Sequence, residues 1–200
     1  MGNAMPLPNE LHMPSLAHLD RNFGTIMLNV ALARGGPRDD LLRRHFLNVV
    51  RLVDLCVSEY EIARGFFEAS LPGGEERLGA ILTGVDHLEL CIITVRRAFN
   101  ALEAIIHHQD APNIPKFARR ALKAIEGPLI KTRGAVVHIE EEILRGDIEP
   151  GQSHALLPSE DGRTASIGRY EISFKDLARA IQLLHEQTAT LAKYREELPE

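Results

Sequence analysis

The sequence predicts a mainly α-helical, up-and-down bundle of about five helices, with a small β-hairpin inserted before the last one. Three observations lead there. Apolar residues recur at intervals of three and four through most of the 200 residues, and Gly and Pro punctuate the gaps between the runs. One segment alone, 153–172, abandons that period for two short stretches around a turn. A chain of this length does not require a second domain, so 1–200 reads as one helical domain with an irregular segment over 1–14.

The first run, Ser15 to Arg34, ends at Gly35-Gly36-Pro37, which is helix-stopping chemistry. The second extends from about Asp39 to Ser70, with Leu42, Phe46, Val49, Val53, Cys56 and Tyr60 on one side, and stops at Leu71-Pro72-Gly73-Gly74. The third, Glu75 to about His108, has the clearest stripe: Leu78, Leu82, Val85, Leu88, Ile92, Val95, Phe99, Leu102 and Ile106. The fourth begins near Pro115 and ends around Gly146. Gly127-Pro128 falls inside it, and a proline that removes a donor and crowds the preceding turn predicts a kink or two helices there. In 153–172, HALLP and TASIGRYEI flank Ser159-Glu160-Asp161-Gly162-Arg163, a turn sequence for a hairpin that must lie against helices to be stable. Ser173 then opens the last helix, with Asp176 placed for a capping box and a stripe of Phe174, Leu177, Ile181, Leu184 and Leu191. Short connections between long helices make neighbours antiparallel.

Hydrophobic residues at 44% and charged residues at 26% give the balance of a globular protein rather than a disordered one. The net charge of −5 argues against a general nucleic-acid coat, which needs excess Lys and Arg, but leaves room for a local basic patch. Cys56 and Cys91 stand in helical patterns and outside any C-x-x-C arrangement, as buried thiols of a reducing compartment would. The opening MGNAMPLPNELHMPS has neither a basic n-region nor an apolar h-region, and no uninterrupted apolar run approaches ~18 residues. No secretory signal, no membrane and a cytoplasmic location are therefore expected.

Residues 131–143, KTRGAVVHIEEEI, hold the most interesting pair, Arg133 and His138. An arginine before a histidine is no signal alone: Arg38 with His45 and Arg179 with His185 also fall within four to six intervening residues, about what the arginine content gives by chance. Context separates the three. Arg133 and His138 sit late in a core helix, with small residues between them and carboxylates after them. The chain from Arg96 to Arg133 also has eight basic residues against three acidic ones, so Arg96, Arg97 and Lys131 are candidates to bind phosphate beside Arg133. A solvated basic face is the plain alternative.

TRGAVVHIEEEI resembles the R-x4-6-H segment of the HEPN superfamily, all-helical domains named for nucleotide binding in higher eukaryotes and prokaryotes. The resemblance rests on this motif and on the helices from 39 to 146. It implies a four- or five-helix core and, for many members, metal-independent endoribonuclease activity in toxin–antitoxin, abortive-infection or CRISPR systems, often with the cleft formed across a homodimer. By the match, Arg133 and His138 are the catalytic positions, no cofactor is needed, and RNA or nucleotide, a second copy and an antitoxin or other protein are the implied partners. Active members usually have a polar residue, most often asparagine, directly after the arginine; this chain has Gly134.

Folding the third helix back on the fourth brings His138 level with Asp86, His87 and Glu89, with Glu141 one turn on. Two chemistries follow. A carboxylate among Asp86, Glu89 and Glu141 would orient His138 as a proton acceptor while Arg133 stabilises phosphorane charge. Alternatively, His87 and His138 with those carboxylates would bind a divalent metal, although no histidine follows a glutamate by three residues as in carboxylate-bridged bundles. Two further readings are salt bridges at a helix contact and a non-catalytic helical dimerisation or protein-interaction module. His107-His108 is expected to serve the end of the third helix.

Overall fold

The computed structural model describes residues 8–32, 36–37, 39–71, 77–109, 116–146 and 152–192. Over these described residues it is mainly α-helical, with five helices and a small antiparallel sheet before the last. The helices are α1 (Phe23–Ala31), α2 (Asp40–Ala69), α3 (Arg77–Ile106), α4 (Lys116–Arg145) and α5 (Phe174–Ala192); the strands are β1 (Leu157–Pro158), β2 (Thr164–Ile167) and β3 (Tyr170–Ser173).

The core is built on α2 and α3, which pack along most of their length. Phe46, Val53, Cys56, Tyr60 and Phe67 of α2 are buried with Val85, Leu88, Ile92, Val95 and Leu102 of α3. The two helices interlock at Gly84, where an added Cβ would stand 2.7 Å from the Phe67 ring. Both cysteines are free and buried, and burial pushes each thiol well above its usual range. On the α3 stripe, Ile81 takes the buried position, while Leu78 and Leu82, expected inside, face solvent. By length and composition α3 is apolar enough to cross a membrane, with a mean hydropathy of 1.6 in its best window. The requirement of an uninterrupted apolar run had missed this. Here α3 is a core helix, with Leu88, Cys91, Ile92 and Val95 fully buried.

The expected first helix, 15–34, is much shorter. Its helical portion begins only at Phe23, and residues 8–22 form an irregular strap across α2. Tertiary capping explains the difference. Asp54 of α2 accepts hydrogen bonds from the Asn22 and Phe23 amides at 3.1 and 2.8 Å, satisfying donors at the start of α1 that no local side chain caps. Glu61, two turns further along α2, accepts from the Leu16 amide. Met13 and Leu16 fill the core beneath the strap.

α4 runs unbroken through Pro128 rather than dividing into two helices. Gly127, Pro128 and Ala124 are all exposed, so the carbonyl that loses its helical donor to the proline is open to water. The helix ends at Gly146, whose φ of 73° suits a residue without a Cβ.

The expected hairpin is realised as three strands. β1 pairs with β2 through Leu157↔Ser166, and β2 with β3 through Ala165↔Ile172 and Ile167↔Tyr170, leaving Gly168-Arg169 as a two-residue turn with Gly168 at φ 54°. Ala165, Ile167 and Ile172 point into the core. Ser173 Oγ accepts from the Asp176 amide at 3.3 Å, the expected cap of α5.

Candidate functional site

The second half of α4 packs beside β3, and an open groove of about 390 Å³ lies between them. Lys131, Gly134, His138, Glu141 and Arg145 line it from α4, and Tyr170 from β3. Residues three and four apart share one helical face, which is why this set converges. His138 is 51% exposed, and its Nδ1 lies 3.3 Å from Glu141 Oε1; the other Glu141 oxygen accepts from Arg145 Nη2 at 3.2 Å. The guanidinium of Arg169 sits 5.2 Å from the centre of the Tyr170 ring.

Arg133 is half-buried and outside this groove. Five residues turn about 140° around a helix, so the expected pair does not share one cleft within a chain. Nor does the fold-back geometry gather the other candidates around His138. His87 Nδ1 lies 2.5 Å from Glu59 Oε2 of α2, and its ring stacks on Phe66 with centroids 6.0 Å apart. Glu89 turns the other way and accepts from the Leu156 amide at 3.0 Å, fastening the sheet to α3. Asp86 is exposed. Along α3, His87 stands about 100° from Asp86 and about 160° from Glu89, so the three do not converge on one point, although Asp86 and Glu89, three apart, share a side. Among the described residues, no group of three His, Cys, Asp or Glu side chains is placed to hold a metal ion.

Of the expected phosphate-binding residues, Lys131 lies in the groove and Arg97 is exposed on α3. Arg96 instead ties α3 to α4: Nη1 is 2.6 Å from Glu126, which Lys123 also approaches at 3.2 Å. The Arg96 guanidinium, followed by Lys123, holds the Glu126 carboxyl below its usual range. At the end of α3, His107 pairs with Glu103 and His108 with Asp39, the residue whose side chain caps α2. Sequence reasoning missed Tyr170, Arg145 and Glu59. Nothing in α4 marks Tyr170, which the packing of β3 brings to the groove, whereas Arg145, four residues after Glu141, follows from the helical spacing of α4 itself.

Glu89 has a pH signature. Burial raises its carboxyl above the ordinary glutamate range, outweighing the Leu156 amide, and Asp86 adds to the rise. Its folded form therefore holds a proton that the unfolded chain has released, and its contribution to stability falls as pH rises through that window. Glu89→Gln keeps an acceptor for Leu156 and removes the ionisation. The difference in urea-unfolding stability, variant minus wild type, is expected to grow from mildly acidic pH towards neutrality. A difference independent of pH would rule the mechanism out.

No protein-family model, curated protein or solved structure matches the chain.

Proposed function

We propose that this is a cytoplasmic, HEPN-like, RNA-directed protein that takes single-stranded RNA in the α4–β3 groove. One observation carries the reading. Lys131, His138 and Arg145, on successive stretches of one helix face, line a groove whose opposite wall offers Tyr170. Two cations suit backbone phosphates, and an aromatic ring beside a guanidinium suits an unstacked base.

The groove also supports metal-independent cleavage. A hydrogen bond from His138 Nδ1–H to Glu141 leaves Nε2 free to take the proton of a ribose 2′-hydroxyl. The 2′-oxygen then attacks the adjacent phosphorus, the 5′-oxygen leaves with a proton from water, and a 2′,3′-cyclic phosphate remains. Lys131 and Arg145 face the developing phosphorane charge, and Arg133, outside the groove, takes no part in the step. A toxin–antitoxin or other defence setting, with an antitoxin as partner, accompanies this reading.

The test is RNA binding and cleavage by the purified protein in EDTA. Cleavage that leaves 2′,3′-cyclic ends is expected to fall about 10²-fold or more in His138→Ala. Lys131→Ala and Arg145→Ala are each expected to weaken RNA binding and to lower the slope of log affinity against log salt by about 0.7. Binding without cleavage would reduce the function to recognition. No binding at low salt would end the RNA reading.

A further inference from the structure

No charged residue falls between Arg21 and Arg34, the stretch that contains α1, and its polar side chains are Asn22, Thr25 and Asn29. A helix this apolar is ordinarily buried. In α1 only Ile26 is buried, with Phe23 and Val30 half-buried on the same side. On the opposite side Met27, Leu28 and the cap residue Leu32 are 50%, 59% and 50% exposed. With Gly24 and Ala31, which are also exposed, they sweep about 140° of the helix with no polar side chain among them.

A line of arginines runs beside this face. α1 lies antiparallel along α2: its start is held by Asp54, and near its end Val30 and Phe46 converge on Gly36. Arg44, Arg51 and Ser58 stand seven apart and so follow one another along α2, about one turn to either side of Asp54 at the last two. Arg21 completes the line by donating from Nη2 to Ser58 Oγ at 3.1 Å. All three arginines are exposed. Arg51 bonds the neutral Asn48, and Arg44 pairs with no other described residue. The carboxylates nearby are occupied: Asp54 caps α1, Asp39 caps α2, Asp40 pairs with Arg43, and Glu61 accepts from Arg64 and the Leu16 amide. Asp20, exposed beside Arg21, is the counter-charge that stays on the surface.

We propose that α1 docks on the surface of an anionic lipid bilayer, with Met27, Leu28 and Leu32 entering the headgroup region and Arg44, Arg51 and Arg21 meeting lipid phosphates along one side. A convex apolar ridge bordered by a straight row of guanidiniums fits a plane of phosphates over acyl chains. Arg21 and Ser58 also line an open hollow of about 330 Å³ with Leu19, Val57, Ile62 and the occupied Glu61, where one phosphate would meet both donors. The expectation of no membrane came from the lack of a long apolar run, which bears on spanning a bilayer and not on lying against one. The inference stands apart from the RNA reading, because the groove belongs to α4, which packs on α3, α5 and the sheet. Three apolar side chains on a short helix make the attachment reversible, with an association constant on the order of 10⁴ M⁻¹.

Co-sedimentation with vesicles of phosphatidylcholine containing about 30% phosphatidylserine, at about 50 mM salt and without RNA, tests it. Wild type is expected to bind at about 1 mM lipid, to bind phosphatidylcholine alone at least about 10-fold more weakly, and to be released by salt. Arg44→Gln and Arg51→Gln are each expected to weaken binding about 5-fold. Leu28→Gln with Leu32→Gln is expected to weaken it about 10-fold or more and to leave the thermal melt unchanged, since both side chains already face solvent. No binding to the anionic vesicles would overturn the proposal, as would equal binding to phosphatidylcholine alone or binding indifferent to the two leucines. Self-association through those leucines in place of vesicle binding, read by ultracentrifugation, would give the face to a protein and overturn it as well.

Discussion

Gly162→Val is expected to destabilise the fold by about 3–4 kcal/mol, measured by chemical denaturation, and to expose residues 8–22 to proteolysis. Gly162 has a φ of 65° in the β1–β2 turn. Moving a residue with a Cβ into the left-handed region costs about 1–2 kcal/mol, and a β-branched one is the least suited to it. The larger effect is steric. A Cβ at this position lands on the backbone carbonyl of Glu10, and backbone cannot rotate aside as a side chain can. The strap must then lift, although His12 donates to the Gly162 carbonyl at 2.9 Å and Met13 and Leu16 anchor it in the core. Gly168 is the control, with a φ of 54° but only the end of the Glu142 side chain nearby. Gly168→Ala is expected to cost about 1 kcal/mol and to leave the strap in place. A loss under about 1 kcal/mol for Gly162→Val would mean that the strap is not held through this turn.

The strap marks where sequence reading stopped. α2, α3 and α5 were legible because their partners are long and their apolar periods regular, so local pattern and tertiary packing agree. The segment before α1 has a helical period as well. Its start is set by Asp54, more than thirty residues away, which offers its oxygens to the Asn22 and Phe23 amides. Of the two outcomes expected at the proline in α4, the division into two helices does not occur. A proline breaks a helix most readily where the orphaned carbonyl is shut away from solvent, and Ala124 lies on an exposed face. The third strand was hidden in TASIGRYEI, read as one stretch, although Gly168-Arg169 turns it back on itself.

The candidate site was legible only as chemistry along one helix. The spacing of Arg133 and His138 states their sequence separation, and the helix turns that separation into divergence. The spacing of Lys131, His138 and Arg145, three residues that the arginine–histidine motif does not link, turns into a shared groove. Tyr170 belongs to that groove through the sheet, which no period in α4 could announce. His87 was noticed as a possible metal ligand beside His138, but its actual partner, Glu59, is a carboxylate in the apolar stripe of α2.

That contact supports the second large expectation. His87→Leu should cost about 2–4 kcal/mol, because it leaves the Glu59 carboxylate in the interface between α2 and α3 without its partner. Glu59 is only 8% exposed. The loss cannot be assigned to poorer packing, since leucine retains an apolar surface for Phe66, on which the imidazole now stacks. A double-mutant cycle separates the two causes. Glu59→Leu with His87→Leu removes both polar groups from the same contact, and a buried pair exchanged for apolar side chains is often close to neutral. The double variant should therefore recover most of what His87→Leu loses, giving a coupling of about 2 kcal/mol between the two positions. If the double variant were no more stable than His87→Leu alone, the carboxylate would have a route to water that the packing of α2 on α3 hides. The pair would then be a surface contact of small value. If it recovers, Glu59 and His87 act as a polar peg that fixes how α2 and α3 register, and the apolar stripes on either side could not supply that alone.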